Sequence, residues 1–418
     1  MFAAVAEQPD SIGSRFDPLG ESYLADPYPF MAEAREAAPV FYSERIDHWV
    51  VTRYDDIRSV FLNPPLFSAI NANSPLRPPC PAAARALQEG GFASVRTLAN
   101  ADPPAHTRVR RIVNAAFTPK RVAEIEPFIR ATVRRLIEER FLNGHADFVR
   151  DFAWELPVLV LFRILGIEET EIARVKKGSW NRILFIYGHP DNEADQVGAA
   201  HGLAEFWRYA KSLVADRERE QRDDFTSALV HAKDENGERL TAQQSATVVL
   251  NLLFAGHETT TAILGNSFRR LLADRQAWDN IVRDPSLIPN AVEEILRLDS
   301  SVIAWRRRAT QATRLAGVAI PKDANLLLLL GSANRDPTVF ADPDRLDIRR
   351  SNAKDHLAFG YGVHLCVGRP LARLQARVVI EELSSRFPGL RLVPNVKYEF
   401  PPNVSFRGPL SLPVEWDG

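Results

Sequence analysis

Apolar residues recur three or four positions apart, with charge between them, over residues 121–142, 154–165 and 205–220, the spacing of amphipathic helices. A longer helix is predicted from Thr241, with Gln244 three residues on as a capping box, to about Asp274. At 1.5 Å per residue it would extend roughly 50 Å, enough to cross the molecule. Its stripe Val248, Val249, Leu252, Leu253, Ala262 and Ile263 is apolar, yet its middle reads Gly256-His257-Glu258-Thr259-Thr260-Thr261. Glycine and β-branched threonines both weaken a helix, so this stretch predicts a bulge with freed backbone groups beside a ligand; a polar patch facing solvent is the alternative. Strand-like runs are short: 49–52, 318–320, 325–330 and 405–416, the last with a hairpin turn at Gly408 and Pro409. The sum is a mainly α fold with a minor β portion. No repeat or linker divides it, so residues 1–418 read as one domain, with 1–15 a flexible lead-in.

Composition removes several classes of function. With 45% hydrophobic residues in a chain of 418, a large buried core is available. Lys and Arg total 52 against 53 Asp and Glu, so no global field would hold nucleic acid or an anionic membrane. The start MFAAVAEQPD lacks a basic region and meets acid at Glu7. The densest apolar runs, 156–162 and 326–330, fall well short of the roughly 18 residues that span a bilayer. A cytoplasmic protein without a membrane partner is expected. Cys80 and Cys366 are the two cysteines, too few for a disulfide framework or a four-cysteine iron–sulfur cluster. No Gly-x-Gly-x-x-Gly follows a strand-like run, so any redox chemistry needs an electron source outside this chain.

The sharpest local pattern is Phe359-Gly360-Tyr361-Gly362-Val363-His364-Leu365-Cys366-Val367-Gly368, followed by Arg369-Pro370. Glycines at 360, 362 and 368 permit a tight turn whose amides point at one sulfur, and Pro370 suits the first turn of a following helix. Amide hydrogen bonds and a helix N-terminus both stabilise a thiolate, the form that ligates metal. A lone cysteine is by default a small buried hydrophobe, and the surrounding glycines reverse that preference here.

Phe359, Gly362, Cys366 and Gly368 resemble the heme-binding loop of the cytochromes P450. The resemblance extends along the chain. Glu294 and Arg297 fit the family's Glu-x-x-Arg, and Phe340-Ala-Asp-Pro-Asp-Arg345 resembles the later segment that completes an ion network with it. It implies the cytochrome P450 fold, heme b as cofactor and Cys366 as the iron ligand. Ala255-Gly256-His257-Glu258-Thr259-Thr260 is similar to the family's acid–alcohol segment, and implies Glu258 and Thr259 as the residues that manage protons in oxygen chemistry. A zinc reading of His257-Glu258 fails, since Thr261 and not histidine stands four residues on. Asp102-Pro-Pro-Ala-His106-Thr-Arg108-Val-Arg110 resembles a propionate-binding helix start. Expected heme contacts are thus His106, Arg110, His364 and one of Arg306, Arg307 and Arg308, with Arg307 in register, besides Phe359, Gly360, Ala255, Gly256 and Gly368. Ile303, Ala304 and Phe406 are expected pocket walls for a small hydrophobic substrate.

Residues 80–85, 179–187 and 300–306 further resemble the bacterial self-sufficient P450s, whose heme domain is fused to an FMN and 2Fe-2S reductase. The resemblance implies an oxygenase half that hydroxylates or O- or N-dealkylates its substrate with dioxygen. Electrons would come from such a reductase, fused or separate, or from a ferredoxin. Arg369, Arg373 and Arg377, with Arg108 and Arg111, offer a basic docking face or an ordinary solvated one. A hydrogen-peroxide-driven peroxygenase is the same-class alternative, and a non-catalytic heme sensor or carrier the different-class one.

Overall fold

The computed structural model describes residues 11–188 and 192–417. The helix expected over 241–274 is two helices. Ala242–Ala255 opens on the expected capping box, with Gln244 N donating to Thr241 Oγ1 at 3.1 Å and Thr241 N to Gln244 Oε1 at 3.0 Å. It ends at Gly256, and Glu258–Ala273 begins two residues later. A Cβ on Gly256 would stand 2.8 Å from Leu161 Cδ1, so helix Leu156–Leu165 can press against the break only because position 256 has no side chain. The periodic run 121–142 also divides, into Pro119–Glu124 and Glu126–Arg140, because Pro127 has no N–H to continue the first helix and is suited to open the second. Residues 205–220 prove to be the end of a longer helix, Glu193–Arg219.

A five-stranded sheet has the order Val40–Ser43, His48–Val51, Asn325–Leu328, Trp305–Ala309, Phe67–Ser68. Trp305–Ala309 escapes a reading of the sequence because three consecutive arginines look like a solvated edge, whereas Arg306 and Arg307 are both buried. The expected hairpin over 405–416 does not form. Phe406 makes a single bridge, to Val302, and the strand is confined to Pro413–Glu415, which pairs with His145–Asp147 and Arg391–Leu392. Gly408 lies against the second half of the split helix, where a Cβ would come within 2.5 Å of Ala262 Cβ, so this segment packs on that helix instead of on itself. Residues 1–10 of the expected flexible lead-in lie outside the described residues. Its remainder forms a helical turn, Ile12–Arg15, with Ile12 and Phe16 packed against Phe41 in the core. Among the described residues no helix is long and apolar enough to cross a membrane.

The interior polar centre is Glu294 on helix Ile288–Leu298. Arg297 Nη2 and Nε donate to its two oxygens at 2.7 Å each, and both side chains are fully buried. The expected third partner, Arg345, is not there. Its side chain is 67% exposed and meets Asp347, while Arg350 Nε takes the place at 3.0 and 3.1 Å. Arg345 contributes only its carbonyl, which accepts from Arg297 at 3.3 Å and Arg350 at 3.4 Å. Sequence spacing could not distinguish the two, because the turn at Asp342, with φ at 44°, sends Arg345 outward and returns the chain inward at Arg350.

Removing one partner of a buried ion pair costs about 3–5 kcal/mol because the other charge stays buried, whereas a surface change typically costs under about 0.5. Arg350→Leu should therefore lower stability by about that larger amount and Arg345→Ala by little, read by denaturant unfolding of the two variants side by side.

Candidate active site

The loop before helix Arg369–Arg386 is built on two left-handed glycines, Gly360 at φ 71° and Gly362 at φ 67°. Glycine is doubly required at 362, where a Cβ would stand 2.8 Å from the Phe61 carbonyl oxygen. Gly368 has an ordinary helical φ of −76° and serves as the N-cap beside the sulfur. Cys366 N donates to the Phe359 carbonyl at 3.0 Å, fixing the loop, and the amides of Gly368 and Arg369 point at Cys366 Sγ. Burial nonetheless raises the thiol above its usual pKa, and the two amides with Arg110 only partly oppose it. A thiolate here thus calls for a cation against the sulfur. Among the described residues no three His, Cys, Asp or Glu side chains gather as a metal site, so any metal at Cys366 must bring its other ligands within a cofactor.

Beside the loop lies a group of nitrogen donors without acids. The His106 and His364 rings stand 4.3 Å apart, and His364 Nε2 is 2.9 Å from the Ala101 carbonyl oxygen. Both ring nitrogens of His106 are buried with no partner. Arg307 is buried, with Nη1 donating to the Arg306 carbonyl at 2.8 Å and its guanidinium over the Phe61 ring. Burial presses Arg307 down to about 10 and His364 down to about 4. Among the described residues no carboxylate pairs with Arg110 or Arg307; Asp102, the nearest influence on Arg307, accepts from Ala69 N at 2.9 Å and from Ser68 Oγ. Buried donors of this kind are expensive without an anion, and two propionates would satisfy them. The strand also settles the register. Arg308 turns out toward Asp323 at 3.4 Å, Arg307 faces the histidines, and Arg306 faces Tyr187.

Where the central helix breaks, the threonine hydroxyls take up helix carbonyls. Thr259 Oγ1 donates to Ala255 O at 2.8 Å, Thr260 Oγ1 to Gly256 O at 3.4 Å and Thr261 Oγ1 to Ala153 O at 2.9 Å. Glu258 Oε1 lies 3.2 Å from His257 Nε2, and burial lowers the Lys176 ammonium below its usual pKa, with Glu155 and Glu258 only partly opposing it. His257 is held by Nδ1 against the Leu253 carbonyl at 2.8 Å. Ala255, the last residue of its helix, remains uncovered by protein, although Leu253 and Phe254 beside it are buried. Val367, next to Cys366, packs on the same large apolar cluster as Leu253 and Phe254. The uncovered helix end, the half-buried thiol and the unpartnered propionate-type donors together fit a heme.

The structure places the expected pocket walls in two different clusters. Phe406 packs on Tyr187 at 4.8 Å and on Phe254 at 5.2 Å. Ile303 and Ala304 belong instead to the N-terminal core with Met31 and Leu327, because the Val302–Phe406 bridge and the turn into the strand bring Val302 and Trp305 to this side. The arginines offered as a docking face are mostly neutralised: Arg108 meets Asp234 at 2.5 Å, Arg111 meets Glu235, Arg373 meets Glu293 at 2.6 Å and Arg377 meets Glu126 at 2.8 Å. The sequence reading missed Glu293. It grips Arg373 with both oxygens and stands 3.4 Å from His356, thereby tying the segments on both sides of the Cys366 loop to helix Ile288–Leu298. The one available signal was the adjacent pair Glu293-Glu294, whose side chains must leave the helix in different directions.

This arrangement, a half-buried thiol in a glycine loop together with a split helix, fits a heme-binding protein. Comparison with known proteins agrees. The Cytochrome P450 family model matches residues 203–283 and 282–391. Cytochrome P450 monooxygenase PikC of Streptomyces venezuelae is 36% identical over 405 residues, covering 95% of this chain and 93% of that protein. 6-Deoxyerythronolide B hydroxylase of Saccharopolyspora erythraea is 34% identical over 404 residues, with 95% and 98% covered. Among solved structures, cytochrome P450 CREJ in complex with (4-ethylphenyl) dihydrogen phosphate superposes with a TM-score of 0.93 at 39% identity, covering 97% of this chain and all of that one. An intact type IV self-sufficient cytochrome P450 monooxygenase superposes at 0.92 with 38% identity, and this chain spans 53% of it. The chain belongs to the cytochrome P450 family: it is a P450 monooxygenase, and its cofactor is heme.

Glu293 generates a pH prediction. Burial pushes its carboxyl up, but His356 and Arg373 outweigh that and hold it down to about 2, below the usual carboxylate range near 4.5, so its contribution to stability is complete above about 4.5 and is lost as pH falls toward 2. Unfolding measured from pH 6 to 3 should show Glu293→Gln less stable than wild type at pH 6, with the gap narrowing as acid is added; a constant gap would refute the assignment.

Proposed function

We propose that Cys366 would supply the sulfur ligand to a heme iron and that this chain is the oxygenase unit of a reductively driven monooxygenase. The observation that carries the proposal is the half-buried Cys366 sulfur under two backbone amides, with no group of three or more His, Cys, Asp or Glu gathered as a metal site among the described residues. His106, Arg110, Arg307 and His364 would hold the propionates. When bound, the heme supplies the activation of dioxygen.

The remaining steps fall to the chain's own residues. Glu258, poised between His257 and Lys176, exchanges protons with the outer side of the helix. Thr259 rests with its hydroxyl proton on the Ala255 carbonyl; rotating about χ1 turns that O–H off the carbonyl, and a proton it passes on is replaced by one relayed from the Glu258 carboxyl, which restores the hydroxyl. This acid–alcohol pair favours dioxygen over hydrogen peroxide as the oxidant, since a peroxide-driven enzyme has less need of ordered proton delivery. Val302, Trp305, Phe254 and Phe406 exclude water and orient a small, largely apolar substrate. The neighbouring structure bound to an alkylphenyl compound supports a substrate of alkyl-aromatic size, oxidised by hydroxylation or dealkylation. Electrons come from a separate or attached reductase, in line with the self-sufficient neighbours.

Reduced, heme-loaded protein treated with carbon monoxide should show the strongly red-shifted Soret band of thiolate ligation, and Cys366→Ser should abolish it. Thr259→Ala should retain the band but divert electrons, lowering product formed per NAD(P)H consumed by on the order of a hundredfold, the low end for a lost proton donor. Unchanged coupling would remove Thr259 from the reaction.

A further inference from the structure

Two buried arginines near the apolar walls have no role in the site described so far. Arg182 closes helix Ile172–Arg182 and is 5% exposed; Arg306 is 2% exposed. Arg182 Nη2 donates to Asn251 Oδ1 at 2.8 Å, its guanidinium lies over the Phe254 ring, and its Nε is buried without a partner. Arg306 Nη2 donates to the carbonyls of Ala72 at 3.1 Å and Ile186 at 3.4 Å, with its guanidinium over the Tyr187 ring. Tyr187 sits between them: its ring is stacked 6.0 Å from Phe254, and its phenol interacts with Arg182 and donates to Asn73 Oδ1 at 3.0 Å.

Neither cation has a carboxylate partner among the described residues, in contrast to buried Arg217, which meets Asp224 at 2.7 Å, and buried Arg297 and Arg350, which share Glu294. Arg306 is pressed down to about 10 by burial and so is still charged at neutral pH. Two desolvated positive charges around one tyrosine, with a guanidinium N–H left over, are costly unless an anion joins them.

The location fits substrate. Asn251 lies one turn before Ala255 on helix Ala242–Ala255, and from across the break Thr259 Oγ1 reaches back to the Ala255 carbonyl at 2.8 Å, so the two residues lie either side of the uncovered Ala255. Between them lie Phe254 and, packed on it, Phe406.

We propose that Arg182, with Asn251 and Tyr187 beside it and Arg306 behind, binds the anionic group of the substrate, a phosphate monoester or a carboxylate, while the apolar remainder extends along Phe254 and Phe406 toward Thr259. The proposal rests on the heme-thiolate reading above and makes that substrate amphiphilic: an anionic handle at one end, with oxidation at the alkyl end. A bidentate guanidinium contact in a desolvated site discriminates strongly between a charged handle and a neutral hydroxyl.

The test uses heme-loaded protein titrated with 4-propylphenyl phosphate, 4-propylbenzoate and neutral 4-propylphenol, reading the spin-state shift of the Soret band. At least one anion should bind about tenfold or more tightly than the phenol in wild type. A phosphate preference names a phosphate ester as the substrate class, and a benzoate preference names a carboxylate. Arg182→Gln should erase the preference while leaving the phenol within about twofold, and Arg182→Lys, which keeps the charge without the fork, should weaken the preferred anion more than the phenol. Equal binding of all three probes by wild type overturns the proposal, as does a preference that survives Arg182→Gln. If Arg182→Gln does not hold heme, equal weakening of anion and phenol in Arg182→Lys overturns it instead. The carbon monoxide band of the same wild-type sample reports thiolate ligation independently, so failure of the heme reading is seen separately from failure of the anion site.

Discussion

The carboxylate of Glu294, sealed from water between two guanidinium groups, is the constraint on which the rest of this structure depends. A single negative charge cannot balance Arg297 and Arg350, so their remaining N–H groups reach for backbone carbonyls at Asn334, Ala341, Asp342, Pro343 and Arg345. That demand winds the irregular segment 334–350 around the end of helix Ile288–Leu298. From there Asn334 passes the constraint on, donating to Ser300 Oγ at 2.8 Å and accepting from Leu357 N at 2.6 Å, two residues before the glycine loop begins at Phe359. Glu293 completes the frame by holding Arg373 on the far side of Cys366. A loop with little regular hydrogen bonding of its own is thus held from both ends by adjacent acids on one helix.

The second constraint is a loss of regularity accepted at the site. A continuous helix from 242 to 273 would satisfy more backbone groups. Instead Gly256 and His257 interrupt it, and Thr259 and Thr260 cap the carbonyls on the first helix. The break is steadied from outside by Thr261 on Ala153 and by the close approach of Leu161. Weak local helicity is thus steadied by tertiary contact.

The buried arginines differ in what balances them. Arg217, Arg297 and Arg350 have acids, and Arg35 is held by the carbonyl and hydroxyl of Ser332. Arg306 and Arg307 have no carboxylate partner among the described residues and lie on opposite faces of strand Trp305–Ala309, Arg307 with the histidines and Arg306 with Tyr187. Strand alternation puts neighbours of identical sequence character into different chemistry. By contrast, the arginines that looked like a partner surface are mostly paired with Asp234, Glu235, Glu293 and Glu126.

The mainly α architecture, the capping box at Thr241, the weak point at Gly256 and the cysteine loop were legible because each is a local property: periodicity, cap chemistry and glycine placement act over a few residues. Strands such as Val318–Ile320 were legible for the same reason. The sequence could not say that Arg350 rather than Arg345 joins Glu294, that Ile303 and Ala304 turn into the N-terminal core, or which of three consecutive arginines faces which group. Those choices depend on which face of a strand or turn is buried, and burial is decided by segments hundreds of residues away. Composition and motif determined what chemistry this chain carries; only the packed structure decided which charges are left without partners, because desolvation exists only once the surrounding segments have closed over them.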